Sequence, residues 1–281
     1  MSIGRKFISA IGCAFIVSLF LCPGAWAERT VTVALGGDVF HMKEKSAKGG
    51  FEGYEIDLMK AVAQEAGFKI KFVEVPWKSL FDGLNEGKYD AVIASVNITS
   101  GRKERYELSD PYFSAAQLLV VPRSKVNMKL SGRNVGVFRL SAAADRIRRS
   151  GANITYYTVQ ETPQAFKDLQ KGTIDALLCD SPVAIGCTAG STSSSLCIAS
   201  LDILDAKECV EEYGIVCRKG NRELVELINK GLASVKAKKL DNEFALRWFK
   251  GTAVASTSQG SGSFFASEIQ TGPQNSPVSS K

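Results

Sequence analysis

The chain reads as an α/β protein made of two similar units, each a mainly parallel sheet flanked by helices. Three observations predict this. Apolar runs of strand length alternate with runs of helical period in the order β-α-β-α-β, which favours parallel strands with helices on the sheet faces. A second series of the same kind opens at Asn134. Finally, Phe81, Leu84, Gly87, Asp90 and Ala91 recur as Phe166, Leu169, Gly172, Asp175 and Ala176, each pair 85 positions apart. Each copy is a helix end, a glycine stop and a short apolar strand. The first leads to Arg102 and the second ends on Asp180, so the two units present opposite charges, as two lobes facing one zwitterionic ligand would.

The elements follow in order. Thr30–Leu35 alternates and is β-branched, hence a strand, with Gly36-Gly37 a turn after it. Tyr54–Ala66 carries Leu58, Val62 and Ala66 on one stripe, with Asp57 near its N-terminal end and Gly67 as its C-terminal stop. Lys69–Val75 is a strand ended by Pro76, Ser79–Glu86 a helix with Leu80, Phe81 and Leu84 inward, and Tyr89–Ala94 a buried strand. Gln117–Val121 is an extended crossing segment, and Asn134–Phe138 begins the second series. Ser141 is placed to cap a helix through Arg149 that Gly151 stops. Ile154–Val159 is a strand, and Thr162 caps a helix with Pro163 in its first turn. Thr173–Cys179 is a strand, Ser181–Cys187 begins a helix and Tyr213–Cys217 is a return crossing. The helices Glu223–Lys236, with Leu224, Leu227, Ile228 and Leu232 on one face, and Asp241–Phe249 close the globule.

Both ends differ from this pattern. Arg5 and Lys6 precede an apolar run from Phe7 to Leu21, Pro23-Gly24 breaks it, and Ala25-Trp26-Ala27 fits a small-x-small cleavage site. Residues 1–27 therefore read as a cleaved secretory signal, too short to span a bilayer stably. Leu21 is too large for the position before a lipidated Cys22. Residues 251–281 are Ser-, Thr-, Gly-, Gln- and Pro-rich with no buriable face, and read as a disordered tail.

Composition narrows the function. The net charge of +6 falls by two, to +4, once Arg5 and Lys6 are removed. No Lys/Arg stripe interleaved with aromatics appears, which argues against a nucleic-acid partner. There is no Walker loop, no Gly-x-Ser-x-Gly and no Gly-x-Gly-x-x-Gly after a strand, so no cofactor is implied. The sequons Asn97-Ile-Thr and Asn153-Ile-Thr are discounted as glycosylation sites. The single histidine, His41, and the lack of any Cys-x-x-Cys argue against zinc. Five cysteines remain after cleavage, and export permits disulfides. Cys187–Cys197 and Cys209–Cys217 are the pairings considered, with Cys179 a buried free thiol.

Ligands of open α/β sheets sit beyond the carboxyl ends of strands. Ser95, Asn97 and Thr99 follow the strand ending at Ala94, and Arg102 either grips a ligand carboxylate in a bidentate bond or pairs locally with Glu104 or Glu107. Asp180 either holds an ammonium group or caps the helix at Ser181-Pro182. Ser141, at a helix start, suits a carboxylate or plain capping. Trp77, at a strand-to-helix joint, and Phe40, in the loop after the first strand, either stack on a ligand or pack in the core.

Several stretches taken in order carry a resemblance. They are Phe51-Glu-Gly-Tyr-Glu-Ile-Asp57-Leu, Val75-Pro-Trp77, Gly87-Lys-Tyr-Asp-Ala91, Ile98-Thr99-x-x-Arg102, Ser109-Asp-Pro-Tyr-Phe113, Val135-Gly-Val137, Ile174-Asp-Ala176, Asp180-Ser-Pro-Val-Ala184 and Tyr213-Gly-Ile215 with Arg218-Lys-Gly. Over roughly Thr30 to Lys250 the chain resembles the family 3 solute-binding proteins of amino-acid ABC importers. The resemblance implies a type II periplasmic-binding-protein fold with two hinge crossings: lobe 1 over 28–117 and 215–250, lobe 2 over 118–214. It also implies a periplasmic monomer that passes an amino acid to a transporter permease without being an enzyme. Arg102 would then bind the α-carboxylate and Asp180 the α-amino group. Trp77 would sit in the aromatic wall, Ser95 and Asn97 would line lobe 1, and Ser141 would lie at a helix N-terminus of lobe 2. Three departures stand out: Leu140-Ser141-Ala142 where Gly-Thr-Thr or Gly-Ser-Thr is usual, Asn97 in place of a small Ser or Thr, and a Gly36–Lys48 loop without the aromatic-Pro-aromatic pattern. The alternatives are a cyclohexadienyl-dehydratase-like enzyme on the same fold, with Glu44 or Glu55 as candidate acid, and a soluble sensor that presents its closed form to a receptor.

Overall fold

The computed structural model describes residues 29–37, 39, 41–138, 142–189, 195–199 and 210–249. The expected signal, the tail, Phe40, Ser141 and Cys209 lie outside the described residues.

The first unit contains β1 (Thr30–Leu35), a two-residue ribbon of β2 (Glu44–Lys45) and β3 (Phe51–Glu52), α1 (Tyr54–Ala66) and β4 (Lys69–Glu74). A 3-10 turn over Trp77–Ser79 leads into α2 (Leu80–Asn85) and β5 (Ala91–Ile93), and then α3 (Ser100–Arg105) precedes β6 (Tyr106–Leu108). The chain leaves through the long β7 (Phe113–Pro122). The second unit comprises β8 (Asn134–Phe138), α4 (Ala142–Arg149), β9 (Asn153–Tyr157), α5 (Thr162–Lys171), β10 (Ala176–Asp180), α6 (Ser181–Ala189) and β11 (Leu196–Ala199). The chain returns through β12 (Val210–Tyr213) and β13 (Val216–Arg218) and ends in α7 (Arg222–Ala237) and α8 (Leu240–Phe249).

Two mixed sheets result, in the orders β4-β1-β5-β13-β6 and β11-β7-β10-β8-β9. In each, three neighbouring strands pair parallel and one strand, β13 or β7, runs against them, pairing antiparallel with its neighbours on both sides. Two antiparallel strands connect the sheets: β7 pairs with β12 over Phe113–Ala116 before continuing into the second sheet, and β12 leads through Gly214 and Ile215 into β13 of the first. Each sheet is buried on both faces, and the period of two along its strands sorts the side chains. Val31, Val33 and Leu35 of β1 join Ala91 and Ile93 of β5 against α1 and α7, while Ala34, Val92 and Ala94 pack with Leu80, Leu84 and Tyr89. In the second sheet Leu119, Val121, Ala176 and Leu178 face one core, and Val120, Leu177 and Cys179 the other.

The recurring segment does the same work in both units. Gly87 and Gly172 take left-handed φ values of 74° and 76°, a conformation open to glycine at little cost. Asp90 N donates to Thr32 O (2.9 Å) and its Oδ2 accepts from Thr32 N (2.7 Å). Asp175 repeats the reciprocal pair with Asn134, at 2.7 and 3.0 Å. Each aspartate locks the strand it opens to the sheet's central parallel neighbour.

Several expectations change. The strand read over Tyr89–Ala94 is confined to Ala91–Ile93, because Asp90 bonds sideways to Thr32 and Ser95 turns into positive φ. The single return crossing is two strands divided at Gly214. The Cys187–Cys197 disulfide does not form, and the Cys209–Cys217 pairing falls outside the described residues through Cys209; among the described residues Cys179, Cys187, Cys197 and Cys217 are free thiols. Cys187 Sγ donates to Ala184 O within its own helix (3.0 Å), Cys197 sits in β11 opposite Val121 of β7, and Cys217 is buried in β13 between Ala91 and Glu107. Burial alone pushes the Cys187 thiol up to about 12, and is the largest cause of the same rise at Cys217.

Candidate functional site

The strongest polar constellation lies where the tips of β5 and β10 meet the two crossing strands. After β5 the chain turns sharply at Ser95, whose φ of 50° is unusual for a residue with a side chain. A buried carboxylate holds this turn. Glu55 Oε1 accepts from Ser95 N (2.6 Å), Ser95 Oγ (2.9 Å) and Tyr112 Oη (2.5 Å). Burial raises the Glu55 pKa, opposed by these hydrogen bonds and by Lys43. Ser95 thus points its hydroxyl at Glu55, a role the sequence reading did not foresee. Glu55 is equally committed as a structural acceptor.

Two residues on, Asn97 forms an isolated bridge with Tyr213, and its Nδ2 donates to Glu211 Oε2 (3.2 Å). Thr99 caps α3, its side chain accepting from Arg102 N. Arg102 is half-buried; its Nη1 donates to Asn97 O (2.7 Å) and its guanidinium lies over the Phe81 ring, 5.6 Å from the centroid. Phe81 in turn meets Trp77 edge-on at 6.2 Å. No carboxylate lies within ion-pair distance of Arg102 among the described residues, and Glu107 is instead near Lys219 and Arg222. The expected alternative of local pairing therefore does not hold. Burial lowers the Arg102 pKa and Arg105 adds to this, while Glu211 opposes it. The guanidinium is a charge favoured by any anion that reaches it.

From the second sheet, Asp180 ends β10. Its Oδ1 accepts from Gln117 Nε2 of β7 and its Oδ2 from Tyr213 Oη of β12. One carboxylate is thereby tied to both crossing strands. Burial raises its pKa against those two hydrogen bonds. Glu211 lies two residues before Tyr213, on the same face of β12, where alternation puts both side chains inward. Burial and Asp180 push Glu211 up to about 7, against Arg102 and Asn97.

The structure thus brings together Asn97, Arg102 and Asp180 through Glu211, sets Ser95 just behind them, and seats Trp77 on the far side of Phe81 against the core around Leu80 and Val92. Glu211, Gln117, Tyr213 and Phe81 were missed as site residues. A lone polar Gln117 in an apolar strand was a legible signal. Glu211 was not, because the return strand was read as starting at Tyr213. Among the described residues no group of three His, Cys, Asp or Glu side chains suits a metal ion, and no helix is long and apolar enough to cross a membrane.

Comparison with known proteins agrees with this architecture. A probable histidine-binding protein of Neisseria gonorrhoeae is 29% identical over 250 residues, covering 83% of this chain and 91% of that protein. The lysine/arginine/ornithine-binding periplasmic protein of Escherichia coli K12 is 27% identical over 252 residues, covering 86% and 96%. Among solved structures, an ancestral arginine-binding protein bound to arginine superposes with a TM-score of 0.64 at 31% identity, over 78% of this chain and 98% of that one. AncCDT-1, an ancestral amino acid-binding protein and precursor of cyclohexadienyl dehydratase, gives 0.63 at 27%, over 79% and 96%. The model of the bacterial extracellular solute-binding proteins, family 3, matches residues 31–251, and the chain belongs to that family.

Proposed function

We propose that this protein captures one amino acid between its two lobes and delivers it to the permease of an ABC importer. What supports this reading is a chain of contacts: Arg102, after the first sheet, donates to Asn97 O, Asn97 bridges to Tyr213, and Tyr213 Oη donates to Asp180, at the end of a strand in the second sheet. Arg102 takes the α-carboxylate and Asp180 the α-ammonium. Asn97 lines the same cleft, Ser95 supports it from behind, and Trp77 stiffens its aromatic wall through Phe81. Ser141 and Phe40, outside the described residues, are the further ligand contacts this reading assigns. Because the two charges come from different lobes (28–117 with 215–250, and 118–214), one ligand touches both only when the lobes close, and that difference in affinity drives closure. Residues 1–27 direct export and are removed, and the mature protein works as a periplasmic monomer. Relatives named for binding histidine, arginine, lysine, ornithine, glutamine and cystine support an amino acid as the ligand class.

Titration calorimetry of the purified protein against the common amino acids tests this, with small-angle scattering to follow closure. Submicromolar to micromolar binding of at least one, with a fall in radius of gyration, is expected. A second reading, a dehydratase, draws on the likeness to AncCDT-1 and on Glu211, a carboxyl poised near neutrality beside Arg102. If no amino acid binds while prephenate or arogenate is consumed, that reading replaces the first.

A further inference from the structure

Among the described residues the site presents one more negative charge than a zwitterion needs. Arg102 and Asp180 match the two poles of an amino acid, and Glu211 is left over. Its Oε2 accepts from Asn97 Nδ2, while its Oε1 has no donor among the described residues. The opposing strand β7 presents Ala115, which carries no charge, β10 presents Asp180, α3 presents Arg102, and β12 itself adds Tyr213, whose hydroxyl is spent on Asp180. Glu212, the next residue, points to the other face and is exposed.

Building on the proposed amino-acid reading, we infer that Glu211 is a second anionic contact in the cleft and selects ligands bearing a positive charge beyond the α-ammonium. Two carboxylates and one guanidinium leave the cleft with a surplus negative charge. A cationic amino acid balances it with Glu211 ionised, whereas a neutral amino acid balances it only with Glu211 protonated. Selection between the two is therefore linked to the Glu211 proton. The sign follows from its raised pKa. Ionised carboxyl predominates above about 7, so affinity for a cationic ligand rises with pH through that value and affinity for a neutral one falls.

Arginine and citrulline make the test, since they share shape and differ by one charge. If only the ionised carboxyl accepts arginine, the competent fraction grows about tenfold between pH 6 and pH 8 for a pKa near 7. Arginine affinity should rise by that factor, and the arginine-to-citrulline ratio by at least as much. Glu211→Gln should flatten both curves, and Glu211→Asp should restore them in part. Calorimetry at pH 7 in buffers of different ionisation enthalpy gives an independent reading on the unaltered protein: arginine binding should release about half a proton. Zero release, a ratio that does not change with pH, or a pH dependence that survives in Glu211→Gln overturns the inference. Failure of the unaltered protein to bind any amino acid would instead remove the amino-acid reading on which it rests.

Discussion

Replacing Arg102 separates binding from folding. The guanidinium spends Nη1 on Asn97 O at 2.7 Å, while its Nε and Nη2 meet no acceptor among the described residues. A ligand carboxylate is therefore offered two charge-assisted donors, each worth about 1.5–3 kcal/mol. Even the lower figure for both bonds gives about 3 kcal/mol, or about 150-fold in affinity. Folding loses less. The bond to Asn97 O, also from a charged donor, contributes about 1.5 kcal/mol at the low end of that range, and the contact with Phe81 about 0.5–1 kcal/mol. Against these stands relief of a charge that burial already disfavours. Arg102→Ala should thus weaken the best ligand by two orders of magnitude or more in calorimetry. Its unliganded melting temperature should fall by only a few degrees, at about 2–4 °C per kcal/mol for a chain of this size. Affinity within threefold of the unaltered protein refutes the assignment. A collapse of the melting transition refutes the claim that Arg102 is held for the ligand rather than for the fold.

Two further perturbations read the scaffold. A Cβ on Gly231 of α7 would stand 2.5 Å from Val62 O and 2.8 Å from Val62 Cγ1 of α1, so Gly231→Ala should force the helices apart. A cost of about 1–3 kcal/mol is expected as a lower urea midpoint at unchanged slope. Asp175 accepts from Lys125 Nζ (2.5 Å) and Asn134 N (3.0 Å), and the lysine beside it lowers its pKa. Its contribution is therefore complete above the ordinary carboxylate value of about 4 and vanishes as pH falls through the lower folded value. Asp175→Asn should cost about 1 kcal/mol at pH 7 and progressively less as pH falls below the ordinary carboxylate value; urea midpoints followed into the acid range check it.

The parts legible in the sequence were those fixed by local rules. Helix stripes, glycine stops and buried strands follow from the 3.6 and 2.0 periods, and they located α1, β1, β4, α5 and α7 to within a few residues. Arg102 and Asp180 stood out as charges after apolar strands, but position alone left each an ordinary alternative, local pairing for Arg102 and helix capping for Asp180. What escaped depends on pairing. Ser95 looked like a ligand contact, yet its hydroxyl bonds Glu55, 40 positions earlier. Glu211 touches Asn97, 114 positions away, and no local pattern announces that. The Cys187–Cys197 staple failed for the same reason: spacing suggested it, but strand register placed Cys197 opposite Val121 of β7 while Cys187 Sγ bonds Ala184 O within its own helix.

The recurring segment shows where the two kinds of information divide. Asp90 and Asp175 make the same pair of backbone bonds, to Thr32 and Asn134, so the shared letters encode how a strand is docked beside its parallel neighbour. Beyond that joint the copies part. The first turns through Ser95 under the hold of Glu55, which carries the chain around to Arg102; the second runs straight to Asp180, which Gln117 and Tyr213 take up from the crossing strands. The same frame thus delivers a cation from one unit and an anion from the other. The crossing strands hold the anion directly and reach the cation only through Asn97, which bridges to Tyr213 and whose carbonyl takes Arg102 Nη1. Asp180 is thus tied to both crossing strands, and Glu211 stands on β12 itself. On the proposed reading, the anionic side of the site is therefore the one that moves with the crossings when the lobes close.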